Sequence, residues 1–554
     1  MEHQRAGRLP QAAAIYQQIL QSEPANPDAL HLLGLIAQET GQLDAAVELI
    51  RHAADIRPSG PLYYSLAVAL HTQGELDAAA ENYRKALTLN LDDARAHGNL
   101  GALLQAQGKL DAAIESYRRA IALNPEDARA HSNLGIALET QGDTDAAVQN
   151  YRRSLALDSN EPRTHNNLGN ALRSREQLDE AVDSFRKAIA LKPDYAEAHN
   201  NLGNALQDQG KLDAALASFH AALALNPDYL EAHWNESLAL LAQGRLEEGW
   251  AKYEWRLRQK EHIADYRDLP ALRPMYAGED LTGKTILLWS EQGVGDEIFF
   301  AGVLPDVIRA AGHCVIECEP RLVPLYARSF PAAEIIPKCY PPHPRTRQPD
   351  IEWQCPIGSL PRFFRPRIDS FPPHHGYLVP DPARVAFWKQ RFAALGPGPS
   401  AGISWRSKHR STSRDLHYTE LSQWGPILRV PGVKFINLQY DECRAELDAA
   451  RKEFGVEIHA WDDLDQMKDL DDVAAMMTAL DLVISPTTTP SIMAGALGAP
   501  VWMLLTRHIT WKTLGTESIP MFPDLRPIWR PRNVAWAAIL ETVAVKLREE
   551  IVRA

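Results

Sequence analysis

A carboxylate stands in a glycine-rich segment that joins a predicted strand to a predicted helix. The segment reads QGVGDE, and its aspartate, Asp296, follows Gly293 and Gly295. Open α/β sheets bind ligands at the carboxyl ends of their strands, so a carboxylate here could accept a proton from a substrate. Glycine lets the backbone approach such a ligand closely. The alternative is that Asp296 caps the helix, and the nearby Glu291 and Glu297 are weaker candidates for a base.

Basic side chains follow a second predicted strand. Arg406 and Lys408 come directly after the strand that ends at Trp405. An arginine suits two-pronged phosphate contact, and a lysine acts as a point charge. We therefore expect both to contact a phosphate, although the basic run continues to residue 414 and could be a solvated loop.

Three threonines, Thr487, Thr488 and Thr489, precede a predicted helix that begins near Ser491. Their hydroxyls and the helix N-terminus could bind an anion, or they could simply cap the helix. After another predicted strand, Gln439 and Asp441 could face the same ligand. The sequence contains no acidic pair with obvious metal spacing, so we expect no metal and no other cofactor.

Short apolar runs alternate with helical stretches in the second half of the chain, which indicates parallel, doubly wound α/β sheets. A proline-rich interval at residues 371–382 splits this half into two Rossmann-like parts. Two such parts facing each other would create a ligand cleft at the carboxyl ends of their strands. The predicted strands are residues 285–290, 314–318, 350–354, 401–405, 434–438, 481–485 and 500–505.

The first half is a repeat array with a period of 34 residues, the length of a tetratricopeptide repeat (TPR). Histidines recur at this spacing from His97 to His233, and a glycine follows each first helix, except that Glu176 fills one slot. Repeats are predicted to start near residues 29, 62, 95, 129, 163, 197 and 231, after a partial unit at 1–25. Packing explains the histidines better than metal binding does.

An asparagine lies two residues after each of these histidines. In the TPR register this position faces the concave groove, where amides could hold the backbone of an extended protein segment. The alternative is that asparagine is common in TPRs and only solvates the groove. The column consists of Asn99, Asn133, Asn167, Asn201 and Asn235.

Composition excludes several classes of protein. The 554 residues carry a net charge of −13, which is unfavourable for binding a nucleic-acid backbone. No apolar run is long enough to span a membrane, and no signal peptide is evident. The five cysteines form no Cys-x-x-Cys pair, so we expect a reducing, cytoplasmic location.

Three segments resemble the family 9, heptosyltransferase-type glycosyltransferases. They are ILLWSEQGVGDEIFFAGVLP at 286–305, AGISWRSKHR at 401–410 and LDDVAAMMTALDLVISPTTTPSIMAGALGAPVWMLL at 470–505. Joined to TPRs, the whole chain resembles bacterial TPR-coupled glycosyltransferases, including flagellin glycosyltransferases, and the architecture of protein O-GlcNAc transferases. The resemblance implies a glycosyltransferase B-type fold of two Rossmann-like lobes after an all-α TPR superhelical solenoid.

The same resemblance implies a nucleotide-sugar donor and places the catalytic base at Asp296. The residues predicted to bind the nucleotide sugar are Gly293, Gly295, Arg406, Lys408, Gln439 and Thr487–Thr489. One departure concerns the last segment, where the family usually has an Asp-Thr pair and a histidine. This chain has Thr487-Thr488 and Ile492 instead, which leaves the donor open.

The leading hypothesis is therefore a cytoplasmic protein O-glycosyltransferase that acts on Ser or Thr hydroxyls of a protein, such as flagellin, held in the TPR groove. A transferase that extends a lipid-linked saccharide is the first alternative, and a non-enzymatic TPR scaffold with a degenerate transferase domain is the second. The predicted domains are a solenoid at 1–258, a connector at 259–283, an acceptor-side lobe at 284–380 and a nucleotide-sugar lobe at 381–554 that ends in a crossover helix.

Overall fold

The computed structural model describes residues 8–258, 273–408, 417–506, 510–531 and 534–552. Most of the predicted connector, residues 259–272, and most of the basic run after Lys408 lie outside the described residues. The chain divides into two compact units, Met1–Pro193 and Asp194–Ala554. Within the described ranges, no helix combines the length and the apolarity that a membrane crossing needs.

The first unit is a TPR solenoid, in which a single helix precedes five helical hairpins. The first helix of every hairpin in the chain begins within two residues of its predicted repeat start. The helices are α1 (Leu9–Ser22), α2 (Pro27–Glu39), α3 (Leu43–Ile56), α4 (Gly60–Gln73), α5 (Leu76–Leu89), α6 (Ala94–Ala106), α7 (Leu110–Leu123), α8 (Ala128–Gln141), α9 (Thr144–Leu157), α10 (Pro162–Ser174) and α11 (Leu178–Leu191).

Close packing inside each hairpin explains the repeating small residues. A Cβ at Gly135 would lie 2.6 Å from the ring of Tyr151 on the partner helix, so only glycine fits there. The turn between the two helices requires a positive φ, which glycine supplies in most repeats. Glu176 occupies this position in one repeat and has a φ of 59°, so the local fold continues without the glycine.

The repeating histidine bonds to the backbone as well as packing. The Nε2 atoms of His131, His165 and His233 lie 3.2, 3.1 and 2.8 Å from the carbonyl oxygen six residues earlier. Each bond joins the start of a hairpin to the turn that precedes it. This confirms a structural role for the column and adds a hydrogen bond that the sequence pattern does not predict.

The second unit begins with two more TPR hairpins and continues into two parallel β-sheets. The hairpin helices are α12 (Ala196–Asp208), α13 (Leu212–Leu225), α14 (Leu230–Ala242) and α15 (Leu246–Tyr253), followed by the 3₁₀ helix Glu254–Arg258. The strands are β1 (Thr285–Trp289), β2 (His313–Cys318), β3 (Glu334–Pro337), β4 (Trp353–Pro356), β5 (Ser400–Ile403), β6 (Lys434–Asn437), β7 (Ile458–His459), β8 (Leu482–Pro486), β9 (Val501–Thr506) and β10 (Arg526–Arg530).

Short helices connect these strands. They are α16 (Val294–Ala301), α17 (Leu304–Ala310), α18 (Val323–Ser329), α19 (Pro361–Phe364), α20 (Pro382–Ala393), α21 (Gly425–Leu428), α22 (Arg444–Phe454), α23 (Leu470–Thr478), α24 (Thr489–Ala496) and α25 (Trp536–Lys546). We call residues 284–370, which contain the first sheet, the first lobe, and residues 382–552, which contain the second sheet, the second lobe.

Every strand pair in the two sheets is parallel. The first sheet has the order β3-β2-β1-β4 and the second β10-β9-β8-β5-β6-β7. In the first sheet Leu287 lies opposite both Val315 and Gln354. The sequence prediction missed β3, β7 and β10 and placed β4 about three residues too early. All four are edge strands, which have a neighbour on one side only and therefore lack long apolar runs.

One apolar core joins the last TPR hairpin to both lobes. It contains Trp250 and Tyr253 of α15, Phe299 and Phe300 of α16, and buried residues that surround α23 and α24. The last helix, α25, instead packs in a separate core against the second sheet. That placement differs from the predicted crossover to the first lobe.

A buried ion pair ties the end of the TPR hairpins to the first lobe. The Arg256 guanidinium lies 2.8 Å from Oε1 of Glu291, and both side chains are 2% exposed. Arg256 also donates to Ser359 Oγ and to the carbonyl oxygen of Tyr253. Because Glu291 lies two residues after the end of β1 at Trp289, this pair fixes the segment that leads to Asp296.

Removing Arg256 should destabilise the second unit strongly. We predict that Arg256→Met lowers the free energy of unfolding by about 3–5 kcal/mol, because it leaves the Glu291 carboxylate buried without its partner. The matched control is Arg258→Met, since the pair of Arg258 with Asp228 is exposed and should contribute less than about 1 kcal/mol. Urea unfolding measures both. Equal effects of the two substitutions would contradict this assignment.

Candidate functional site

The two lobes border one cleft of about 380 Å³. Its walls are built from segments that follow β1, β5, β6, β8 and β9, so the cleft lies at the carboxyl ends of both sheets. Of the residues singled out from the sequence, the cleft is lined by Gly293, Gly295, Asp296, Lys408, Thr487, Thr488 and Thr489. The structure therefore brings together seven residues from three separate sequence segments.

Asp296 is the carboxylate of the first lobe that reaches this cleft. It is the third residue of α16, whose N-cap position is Gly293, and no side chain caps the helix. The alternative interpretation of Asp296 as the helix cap is therefore wrong. Its side chain is 44% exposed, and Oδ1 lies 3.0 Å from Nζ of Lys512 in the second lobe. A carboxylate in this position can meet both solvent and a bound ligand.

The three neighbouring carboxylates have different environments. Glu291 is engaged with Arg256, as described above. Glu297 is buried, and burial raises its pKa to about 7, partly offset by hydrogen bonds from Ser290 and from the backbone N–H of Glu319. Neither Glu291 nor Glu297 lines the cleft. Asp296 is thus the member of this group that is placed to exchange a proton with a ligand.

The two glycines of the turn serve different purposes. A Cβ at Gly295 would lie 3.2 Å from Oγ1 of Thr489, so this glycine permits the close approach of α16 to α24 across the lobes. A Cβ at Gly293 would meet no atom within 4 Å. Its φ of −73° and ψ of 163° are open to any residue. The space beside Gly293 is therefore available to a ligand.

The threonines combine capping with exposure to the cleft. Thr488 is the N-cap of α24, and its backbone N–H donates to Ser491 Oγ at 3.2 Å in a reciprocal capping box. Its hydroxyl also lies 3.0 Å from Ser485 Oγ. The capping interpretation is correct for Thr488, whereas Thr487 and Thr489 line the cleft on either side of it.

Arg406 and Gln439 lie outside the cleft lining. The Arg406 guanidinium is paired with the carboxylates of Asp441 and Glu446 and is buried. Gln439 accepts from the backbone N–H groups of Trp405 and Arg406 and joins the ends of β5 and β6. Arg406 and Gln439 therefore bind other groups of the protein and do not face the cleft. Lys408 alone of the two predicted cations borders the cleft.

Sequence reasoning missed several polar side chains of the site. Lys512, in the 3₁₀ turn Trp511–Thr513 of the second lobe, lies opposite Asp296. Lys512 could have been found from the sequence, because its turn follows β9 just as the predicted cation Lys408 follows β5. Arg321 also lines the cleft, but its guanidinium donates to Glu319 and to the carbonyl oxygen of Met467. The remaining polar residues of the lining include Tyr418, Tyr440 and Gln466.

Part of the cleft lining is apolar. It consists of Leu470, Val473 and Met477 of α23 and Ile492 and Met493 of α24. Ile492 is the residue that stands where the resembling family usually has a histidine. The wall can therefore contact an apolar face of a ligand but offers no hydrogen bond from this position.

The asparagine column is half-buried throughout. Asn133 and Asn167 border one groove of about 140 Å³ in the first unit, together with a hydrogen-bonded pair of hydroxyls at Ser132 and Thr164. Asn99 donates to the hydroxyl of Tyr64 at 3.0 Å. In the second unit, Asn235 donates to Oδ1 of Asn200 at 2.9 Å, and Asn201 is also half-buried.

Comparison with known sequences identifies the repeats and two longer relatives. Residues 2–201 match a profile for the C-terminal domain of cilia and flagella-associated protein 70, and residues 196–229 match the tetratricopeptide repeat. The chain is 38% identical to Protein FlbA of Caulobacter vibrioides over 313 residues, which is 54% of this chain and 52% of FlbA. It is 30% identical to the Protein O-mannosyl-transferase TMTC1 of Mus musculus over 102 residues, 18% of this chain and 11% of TMTC1. The chain thus spans about half of FlbA and a small part of TMTC1.

Solved structures give weak matches. PilF of Pseudomonas aeruginosa is 26% identical, with a TM-score of 0.34 over 37% of this chain and 94% of PilF. YrrB, described as a TPR protein with an unusual peptide-binding site, is 24% identical with a TM-score of 0.31 over 34% of this chain and 96% of YrrB. Scores below 0.5 carry no argument about function. The sequence comparisons therefore support the TPR repeats, and the structure adds two parallel sheets in the second half of the chain.

Filling the space beside Gly293 should block ligand binding without harming the fold. We predict that Gly293→Val changes the free energy of unfolding by less than about 0.5 kcal/mol, as for a surface substitution. It should weaken the binding of a nucleoside diphosphate, the ligand class expected from the sequence, by roughly tenfold or more. Calorimetry and urea unfolding measure the two effects. The control, Ala332→Val, also adds bulk at an exposed turn position of the first lobe but lies outside the cleft, and it should alter neither. Unchanged binding by the Gly293 variant would show that a ligand does not use this space.

Proposed function

We propose that the protein is a nucleotide-sugar-dependent, metal-independent O-glycosyltransferase that modifies Ser or Thr hydroxyls of a protein held by its TPR hairpins. The observation that carries the proposal is the cleft itself. There the Asp296 carboxylate of one lobe faces Lys408, Lys512 and Thr487–Thr489 of the other. A base opposite cations and hydroxyls is the arrangement that transfer from a phosphate leaving group needs. The two parallel-sheet lobes are, in this proposal, those of a glycosyltransferase B-type fold.

Each side chain then has a defined task. Asp296 accepts the proton of the acceptor hydroxyl while the hydroxyl oxygen forms a bond to the anomeric carbon of the sugar. The bond from that carbon to the phosphate oxygen breaks, and the nucleoside diphosphate leaves with the electron pair. The ammonium groups of Lys408 and Lys512 and the hydroxyls of Thr487 and Thr489 stabilise the charge on the leaving group. Gly293 leaves space for the donor.

In this proposal the TPR hairpins bind the acceptor protein. Solenoids of this kind bind extended protein segments on their concave surfaces, and amide side chains can bond a peptide backbone of any sequence. Flagellin is the first acceptor to test, because the whole chain resembles flagellin glycosyltransferases. The short match to a protein O-mannosyl-transferase agrees with protein glycosylation but covers 11% of that protein.

Replacing the base should abolish transfer. We predict that Asp296→Asn lowers the rate of sugar transfer by about 10²–10⁴-fold, the usual contribution of a general base. The assay is co-expression with flagellin and other candidate acceptors, followed by intact-mass analysis of the acceptor. Asp280→Asn serves as a control, because Asp280 is exposed just before the first lobe and does not line the cleft.

Three outcomes of this assay, of a glycan-acceptor screen or of nucleotide-binding calorimetry would contradict parts of the proposal. Wild-type rates in Asp296→Asn would remove Asp296 as the base. Transfer to a glycan core but never to protein would identify a saccharide-extending enzyme. A wild-type protein that binds no nucleotide and modifies no acceptor would be a TPR scaffold.

The asparagines of the first unit should contribute to acceptor binding. We predict that Asn133→Ala combined with Asn167→Ala weakens acceptor binding by roughly tenfold, because the hydrogen bonds of each amide contribute about 1 kcal/mol to the free energy of binding. Alanine favours helix, so the hairpins should remain folded. The matched control is Asn90→Ala with Asn124→Ala, at exposed positions in turns. Fluorescence anisotropy of a labelled acceptor measures the affinity. Equal affinity of both double variants would leave the column a packing feature.

A further inference from the structure

Lys512 is the most enclosed cation of the cleft. Only 9% of the residue is exposed. Its ammonium lies 4.3 Å from the ring centre of Phe299 and 4.7 Å from that of Trp511, and it is 3.0 Å from Oδ1 of Asp296. A buried ammonium is costly unless it is paired, so the site is built to keep a negative partner beside this nitrogen.

Of the other cations near the cleft, Lys408 is exposed, whereas Arg321 and Arg406 have protein partners that a ligand would have to displace. Arg321 is bonded to Glu319 and to a backbone carbonyl, and Arg406 is paired with two carboxylates. In the described contacts, the charged partner of Lys512 is Asp296, which is itself half-exposed. Water can therefore replace the ammonium at Asp296, whereas the rings of Phe299 and Trp511 lie beside the ammonium itself.

A diphosphate would compete well for this ammonium. It brings about two negative charges to the cleft, whereas Asp296 brings one, and Coulomb attraction scales with that charge. The lysine stem has four rotatable bonds, so the ammonium can move from Asp296 towards a diphosphate bound beside it. The hydroxyls of Thr487 and Thr489 line the same cleft and can share the phosphate oxygens.

We propose that Lys512 exchanges partners when the donor binds. In the empty cleft it pairs with Asp296, and in the occupied cleft it pairs with the diphosphate of the nucleotide sugar, which leaves the Asp296 carboxylate to the acceptor hydroxyl. This inference rests on the proposed function. It makes Lys512 the principal diphosphate ligand and makes the donor the first substrate to bind, because the base is occupied until the donor arrives.

The test compares nucleoside diphosphates with the corresponding nucleosides. Calorimetry with UDP, GDP, ADP, CDP and inorganic pyrophosphate first identifies which of them the wild-type protein binds. Lys512→Met keeps an unbranched apolar side chain beside the rings and removes the charge. It should weaken diphosphate binding at least tenfold and leave nucleoside binding unchanged, and Lys512→Arg should recover part of the loss. Lys468→Met is the control, because Lys468 is an exposed cation paired with Asp465.

A second variant tests the exchange itself. If Asp296 competes with the diphosphate for Lys512, Asp296→Asn should bind the diphosphate as tightly as wild type or more tightly. If Asp296→Asn binds it more than about threefold more weakly, Asp296 positions Lys512 for the ligand, and the exchange is overturned.

The outcomes separate this inference from the proposed function. Wild-type binding of a diphosphate that Lys512→Met leaves intact overturns the role of Lys512 and leaves the transferase proposal standing. If the wild-type protein binds neither a nucleoside diphosphate nor pyrophosphate, the transferase proposal fails, and the inference fails with it. The melting temperature of each variant shows whether a loss of binding reflects unfolding, and the charge-conserving Lys512→Arg then decides.

Discussion

The packing of one tryptophan, Trp511, holds the candidate site together. Its ring centre lies 6.1 and 5.8 Å from those of Trp250 and Tyr253 in the last TPR hairpin. It lies 5.5 and 6.1 Å from those of Phe299 and Phe300 in the first lobe. Aromatic contacts at these distances contribute both buried area and orientation. Because Lys512 is the next residue, this packing determines where its ammonium meets Asp296.

The last TPR hairpin is consequently part of the site's framework. Its Arg256 holds the segment after β1 through Glu291, and its Tyr253 hydroxyl accepts from the Gln292 amide at 2.9 Å. The same hairpin supports Trp511 on the other side of the cleft. The boundary of the compact unit at Asp194 agrees with this, since it places the final two hairpins with the sheets. Repeats usually depend on their neighbours alone, and here the last one depends on the lobes as well.

The sequence predicted what periodicity and buried runs encode. The TPR hairpins and the interior strands β1, β2, β5, β6, β8 and β9 were found, because each has a regular apolar pattern. The edge strands β3, β7 and β10 were missed because their burial is partial. Arg406 was assigned to a phosphate because its carboxylate partners Asp441 and Glu446 come from a later segment. Lys512 was missed for the same reason, since its pairing with Asp296 spans 216 residues.

The residues at which this chain departs from the family 9 glycosyltransferases that it resembles line the cleft. Where that family has a histidine, Ile492 joins an apolar wall with Met493, and where it has an aspartate, a threonine hydroxyl lines the site. These changes remove one titratable ring and one negative charge from the second lobe. Lys408 and Lys512 then act in a cleft with less opposing charge, which favours an anionic ligand such as a diphosphate. Under the proposed function, donor selection would depend on other polar groups of the lining, among them Tyr418, Tyr440 and Gln466.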